Sequence, residues 1–342
     1  MTEETILSTN KKAVQINRDH AKYGTFAEIG AGQEVVRFFF KVGGAAGTIA
    51  KSISAYDMTV SDAIYGDTAR YVSRQRLRSM LDCEFNLLRT RLDASVGDTT
   101  TFFAFANTVK ARSFLQTDES HGWLGIRFQA SPRTEPSEII IHIRMLDESN
   151  MQQQEALGIF GVNMIYGAFF LHHHMETFLE SLLDNLSRKR VEVDMIKLSG
   201  PVFKNEDNRI MSLELVRLGL ADSAMFTSDG DVVQPSEILY KKAILVERGS
   251  FRPVTRVAIN MLDCAKAQFA QEAGVQGSEI TVLTEMTLRN LSEDGKINHK
   301  DFLDRVDLLA ALGKTVLISN YGRFYRLADY LFRYTDKMIV LV

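Results

Sequence analysis

With 342 residues, 45% hydrophobic and 24% charged, the chain has the make-up of a globular protein and the length for two domains that each bury a core. Forty basic against 43 acidic side chains leave a net charge of -3, which excludes a bulk field drawing the protein to nucleic acid or an anionic membrane. Two cysteines, Cys83 and Cys264, lie far apart and in no C-x-x-C spacing, which excludes a disulfide framework and a thiolate metal site and fits a reducing compartment.

The opening MTEETILSTNKKAVQINRDH lacks the basic start and apolar core of a signal peptide and reads as a loose polar arm. The longest apolar run, GIFGVNMIYGAFFL, falls short of the roughly 20 residues that span a bilayer, so a cytoplasmic protein with no membrane partner is expected. EVVRFFFKVGGAAGTIAKSISAYDM reads as an apolar helix stopped by Gly43 and Gly44, with a second helix beyond. Residues 70–92 place Leu77, Leu81, Phe85 and Leu88 at helical spacing among Arg and Glu.

GWLGIRFQ and EIIIHIRML are β-rich runs joined by the polar, proline-containing ASPRTEPS, the pattern of a hairpin with a long loop. Residues 151–187 are mostly helical, with a break at His172, His173 and His174. From Val191 strand and helix alternate, through VEVDMIKL, KKAILVERG, EITVLTEMTL, KTVLISN and KMIVLV. The last three of these strands are expected to be parallel neighbours joined by helical crossovers. The fold class is therefore α/β with two domains. Residues 1–187 form an N-terminal α+β domain with a Gly-rich turn and the hairpin, and 188–342 a C-terminal domain with a largely parallel sheet covered by helices. A short echo between IRMLDESNMQQQEALG and INMLDCAKAQFAQEAG would make the halves pseudo-symmetric if it came from duplication; shared helix-start chemistry is the simpler reading.

The stretch YGTFAEIGAGQEVV resembles the G-T-F-x-P-x-H-x-G-H loop of nicotinate-nucleotide and related adenylyltransferases, matching it at Gly24, Thr25, Phe26 and Gly32. Glu28 stands at the proline position and Gly30 and Gln33 at the two histidine positions, so the donors that steady a transferring phosphate are missing. A loose analogue of that family's second motif lies at Ile318, Ser319 and Arg323. Over almost its whole length the chain resembles an uncharacterised bacterial protein family whose members bear inconsistent names, nicotinate-nucleotide adenylyltransferase and TonB-dependent receptor among them. The second name implies a secretory signal and many amphipathic barrel strands, which the text does not carry. The resemblance implies a chain running on past Val342 and supplies no catalytic residues.

Gly30, Gly32 and Gln33 form a glycine-rich turn before a helix. The residues allow either a turn that needs positive φ or a cradle of free N–H groups for an anion. No strand leads into the turn on this reading, and Val35 replaces the third glycine of a dinucleotide fingerprint. His121, beside Trp123 with Glu119 before it and Arg127 after it, gathers acid–base and anion-binding chemistry, or else marks a hairpin entry. Alternation puts His142 and Arg144 on one strand face, a solvated edge or a pocket wall. Arg248, Arg252 and Arg256 fall at even spacing, so an extended segment would aim them at one anion, and otherwise they are solvated.

Two function classes remain open. In one the protein binds a small anionic molecule, a nucleotide or phosphorylated metabolite, and acts on it. His121 and Glu119 are then catalytic, and Gly30, Gly32, Gln33, Arg127, Arg252 and Arg256 bind ligand. In the other it is a non-enzymatic interaction or scaffold protein. Neither reading names a cofactor; no metal is expected, the three adjacent histidines lacking ligand spacing; a homo-oligomer is compatible with both.

Overall fold

The structure, a computed structural model, describes residues 6–112, 119–293 and 296–342. The chain divides into two compact units, Met1–Glu206 and Asp207–Val342.

The first unit runs α1 (Thr9–Asn17), β1 (Lys22–Gly30), α2 (Val35–Val42), β2 (Ile49–Ile53), α3 (Met58–Tyr65), α4 (Arg74–Val96), β3 (Thr101–Lys110), β4 (Ser120–Phe128), β5 (Ser137–Met145), α5 (Asn150–Phe170), α6 (Met175–Ser181) and β6 (Val191–Ser199). Its sheet has the order β2-β1-β3-β4-β5-β6, with β1 parallel to β2 and β3 and the remaining pairs antiparallel. The hairpin read from sequence is β4–β5. VEVDMIKL, the first strand of the alternating series, is β6 and pairs with β5 in this sheet, so the division into units falls after it.

Strand alternation explains the two layers around this sheet. Phe26, Phe103, Phe105 and Phe128 point to one side, where their rings lie 5.1–5.8 Å from one another and from Phe39 of α2 and Phe169 of α5. On the other side Gly125 leaves room for Leu77 and Leu81 of α4; a Cβ there would lie 2.7 Å from Leu81 Cδ1. Fully burying a phenylalanine contributes about 1.5–3 kcal/mol, so this aromatic layer helps to hold α2 and α5 to the sheet.

Three expectations fail here. The N-terminal segment is no loose arm from Thr9 on, because α1 buries Ala13 and Ile16, and Lys12 Nζ donates to Asn163 Oδ1 (2.8 Å) and Asp184 Oδ2 (2.6 Å). Residues 1–5 of that segment lie outside the described residues. A strand does lead into the glycine turn: the GTF segment is the body of β1, whose polar flanks hid six consecutive buried residues. Beyond Gly43 and Gly44 the chain forms β2 before the next helix.

The second unit runs α7 (Asn208–Arg217), β7 (Ser223–Phe226), β8 (Val232–Val233), α8 (Pro235–Leu239), β9 (Ala243–Arg248), α9 (Arg256–Phe269), β10 (Ile280–Thr287), α10 (Leu288–Leu291), β11 (Ser292–Glu293), β12 (Lys296–Ile297), α11 (His299–Ala311), β13 (Thr315–Ser319), α12 (Phe324–Leu331) and β14 (Ile339–Leu341). Its main sheet has the order β14-β9-β10-β13-β7-β8, parallel from β14 to β13. Of the three strands read as parallel neighbours, β10 and β13 are paired as expected, whereas β14 is parallel to them but lies beyond β9. The MLD echo is no repeat of structure: Met145 ends a strand, whereas Met261 lies inside α9.

Candidate functional site

β1 and β3 end, and β4 begins, at one edge of the first unit's sheet. Gly30 pairs with Val109 of β3, and Val109 with Gly122 of β4, so the glycine turn and His121 are two strand spacings apart, roughly 10 Å. Next to that row, His121 stands between Lys110 of β3 and Arg144 of β5.

His121 Nδ1 is 3.0 Å from His142 Nε2, and His142 Nδ1 is 2.5 Å from Asp194 Oδ1. Trp123 packs on His142 with ring centroids 4.7 Å apart, and the Arg74 guanidinium lies over Trp123. Thr108 on β3 donates to the Tyr71 carbonyl, which fastens the segment before α4 over this face. His142 and Asp194 are buried while His121 keeps partial exposure, so the chain of rings leads from the interior to the edge.

Donor chemistry orders the chain. A carboxylate only accepts, so His142 Nδ1 carries a proton toward Asp194. When His142 carries no second proton, its Nε2 accepts from His121 Nδ1–H, which leaves the lone pair of His121 Nε2 directed away from the chain. Burial, then the neighbouring His142, lower the pKa of His121 to about 4. A proton taken up at His121 Nε2 can be matched by transfer of the Nδ1 proton to His142, where Asp194 faces the new charge. No cation then remains on the desolvated outer ring.

Glu119 is engaged elsewhere. Its carboxylate accepts from Arg144 Nη2 at 2.7 Å, and Arg144 also donates to Glu192 Oε2 at 2.5 Å. Arg127 lies six residues along β4, roughly 20 Å from His121. It ties β4 to Glu138 of β5 (2.6 Å) and to Asp82 of α4.

At the turn, Gly30 has φ 78° and its backbone presses on Val109, where a Cβ would lie 2.2 Å from the carbonyl oxygen. Gln33 Nε2 donates to Ser54 Oγ at 2.8 Å. The N-terminus of α2 already holds a carboxyl group: Glu28, buried beneath it, accepts from the Val35 and Val36 amides at 3.1 Å each and from Asn107 Nδ2 at 3.0 Å. Asn107 also donates to the Gly32 carbonyl at 3.0 Å. Desolvation raises the Glu28 pKa to about 7 against these hydrogen bonds.

Arg252 and Arg256 belong to the second unit, and the segment that carries them is not extended. β9 ends at Arg248, and Arg256 opens α9. Arg248 therefore turns inward to buried Glu285 (Nε to Oε2, 2.5 Å), Arg252 pairs with Asp301 at 3.1 Å, and Arg256 is exposed. Glu285 and the Ser319 turn do meet at the carboxyl ends of the parallel strands, with Ser319 Oγ 2.5 Å from Glu285 Oε1.

Among the described residues no group of three or more His, Cys, Asp or Glu is arranged to hold a metal, and no helix is long and apolar enough to cross a membrane. His172 Nδ1 bonds the Ala168 carbonyl.

No protein-family model and no curated protein matches the chain. Among solved structures it is similar to the competence/damage inducible protein CihA from Agrobacterium tumefaciens, with TM-score 0.35, 16% identity, and coverage of 46% of this chain and 93% of that one. It is likewise similar to a competence-damaged protein (CinA) superfamily protein from Klebsiella pneumoniae, with TM-score 0.34, 15% identity, and 47% and 95% coverage. A CinA superfamily protein from Escherichia coli gives TM-score 0.30, 13% identity, and 45% and 81% coverage. Similarity of this extent carries no statement about activity.

Proposed function

We propose that the first unit binds a small anionic metabolite at its sheet edge and moves a proton there, with His121 as general base and His142 and Asp194 as the residues that position it and take up its charge. The observation that carries this reading is the Asp194–His142–His121 chain. Burying such a series of polar groups among apolar strands costs stability unless every bond is made, and a shifted imidazole at an edge is the arrangement that acid–base chemistry uses. Lys110, opposite His121 on β3, supplies a positive charge toward an anion, while Arg144 on the other side is held by Glu119 and Glu192. The glycine turn closes the other side of the edge. Glu119 orients Arg144 and has no part in proton transfer.

The test is a screen of phosphorylated and carboxylated metabolites for turnover, followed by NMR, with wild type, His121→Asn and Asp194→Asn. A general base contributes about 100-fold or more, so His121→Asn should lose at least that factor while Asp194→Asn keeps part of the rate. Turnover of a hit at the wild-type rate by His121→Asn would refute the assignment.

A further inference from the structure

The second unit has an edge of its own. From β9 the chain moves to β10 and β13 and then returns to β14 on the far side of β9. The helices on this path pack on opposite faces of β9. Leu262 and Phe269 of α9 lie with Ala243 and Leu245, whereas Leu327, Tyr330 and Leu331 of α12 lie with Ile244 and Val246. In open parallel sheets this reversal leaves a crevice at the carboxyl ends of the strands, where the connections splay apart.

The connections at those ends are tied together. Asn290 Nδ2, after β10, donates to the Gly249 carbonyl after β9 at 3.2 Å. Arg305 of α11 donates to the Ser250 and Asn290 carbonyls at 3.0 Å each. Arg248 reaches the connection after β13, donating to the Tyr321 carbonyl at 2.8 Å, with its guanidinium 4.4 Å from the Phe324 ring centre. Three loops from three adjacent strands are thereby held side by side.

Each of them exposes arginine. Arg252 and Arg256 follow β9, Arg289 follows β10, and Arg323 and Arg326 follow β13. Two carboxylates at these ends are already used: Glu285 by Arg248 and Ser319, and Asp301 by Arg252 and Arg305. Arg256, Arg289, Arg323 and Arg326 form no ion pair with another described residue. Between the last two stand Phe324 and Tyr325, 47% and 55% exposed. Guanidinium groups that no carboxylate engages offer planar donor forks to a phosphate, and the open aromatic rings beside them offer a face to a planar ring.

We infer that the carboxyl edge of the second unit is a binding site for a nucleotide, its phosphates held by arginines from the β9 and β13 connections and its base stacked at Tyr325. The inference does not depend on the proton transfer proposed for the first unit.

Calorimetric titration of the full chain with ATP, inorganic pyrophosphate and adenosine tests the inference. ATP should bind, and Arg256→Ala and Arg323→Ala should each weaken it by about tenfold or more, at unchanged thermal unfolding because both side chains are exposed. Arg256→Lys should restore only part of the loss, since an ammonium lacks the planar fork. Tyr325→Ala should bring ATP affinity down toward that of pyrophosphate. The inference is overturned if ATP does not bind at millimolar concentration, or if the Arg256→Ala, Arg323→Ala double variant binds it as wild type does. A single-stranded oligouridylate that binds about a hundredfold more tightly than ATP, with the same arginine dependence, would assign the edge to nucleic acid instead.

Discussion

Asp194 meets His142 across the β5–β6 pair because the register of β6 shifts between His142 and Ile143. Without that irregularity, strict alternation would let a carboxylate at this position face the opposite side of the sheet. The bulge thus places one buried acid against one buried imidazole, and His121 extends the chain outward.

His121 should remain neutral far into the acid range. With a pKa lowered to about 4, it is unprotonated in the folded protein while the unfolded chain takes up a proton near 6.5. The unfolded state then binds more protons between these values, so this residue makes stability rise with pH from about 4 to 6.5 and fall as the pH drops. In a series of unfolding curves, His121→Phe should have a shallower slope over that window. In wild type, acylation of His121 by diethyl pyrocarbonate should be independent of pH from 5 to 7. A rate that falls below pH 6.5, as for an ordinary imidazole, would contradict the burial argument.

Much of this was legible in the sequence, for reasons that differ by element. The hairpin β4–β5 and the strands β9, β10, β13 and β14 are apolar runs set off by turns or helices, so they could be read directly, whereas the two-residue β11 and β12 were not. His121 stood out by its neighbours. Its actual partners did not, because alternation gives His142 only a face shared with Arg144, a solvated edge or a pocket wall, and nothing in VEVDMIKL ties Asp194 to it; only pairing of β4, β5 and β6 brings them together. The strand TFFAFANTVK was passed over, although it lies between β1 and β4 and carries Asn107. Glu28 looked like a lost proline, and nothing local signals that it caps a helix seven residues on.

Glu28 predicts a slope of the opposite sign. Its folded pKa of about 7 lies above the ordinary carboxylate value, so the folded state binds the extra proton between about 4.5 and 7 and stability from this group declines as pH rises through that window. The full effect is on the order of 3 kcal/mol. Glu28→Gln removes the titration at the cost of one acceptor, since its NH2 group faces an amide N–H, so its unfolding free energy relative to wild type should rise from pH 5 to pH 8. Parallel curves for the two proteins would exclude a shifted Glu28.

Gly32 and Asn107 should behave as a coupled pair. A Cβ on Gly32 would lie 1.9 Å from Asn107 Oδ1, far inside contact distance, and Asn107 cannot swing away without releasing Glu28 and the Gly32 carbonyl. Gly32→Ala should therefore destabilise by about 1–3 kcal/mol. On an Asn107→Ala background the same change should cost less, and a double-mutant cycle by urea unfolding reads the difference. Simple additivity would mean that the turn relaxes by another route.

Adenylyl transfer to nicotinate mononucleotide should be absent, and the structure of the turn supplies the reason. Such a reaction needs positive donors where charge develops on the phosphates. Gly30 presses its backbone on Val109 and has no room for a side chain, so no cationic residue can be restored there without moving β3. Gln33 is neutral and bonded to Ser54. The first amides of α2 point at Glu28, which puts a carboxylate where a phosphate would need to approach. Purified protein with ATP and nicotinate mononucleotide should release no more pyrophosphate than buffer alone, whether or not ATP binds the second unit. Steady release that disappears in Gly32→Val would show that the turn handles phosphate after all, with Glu28 displaced from the helix.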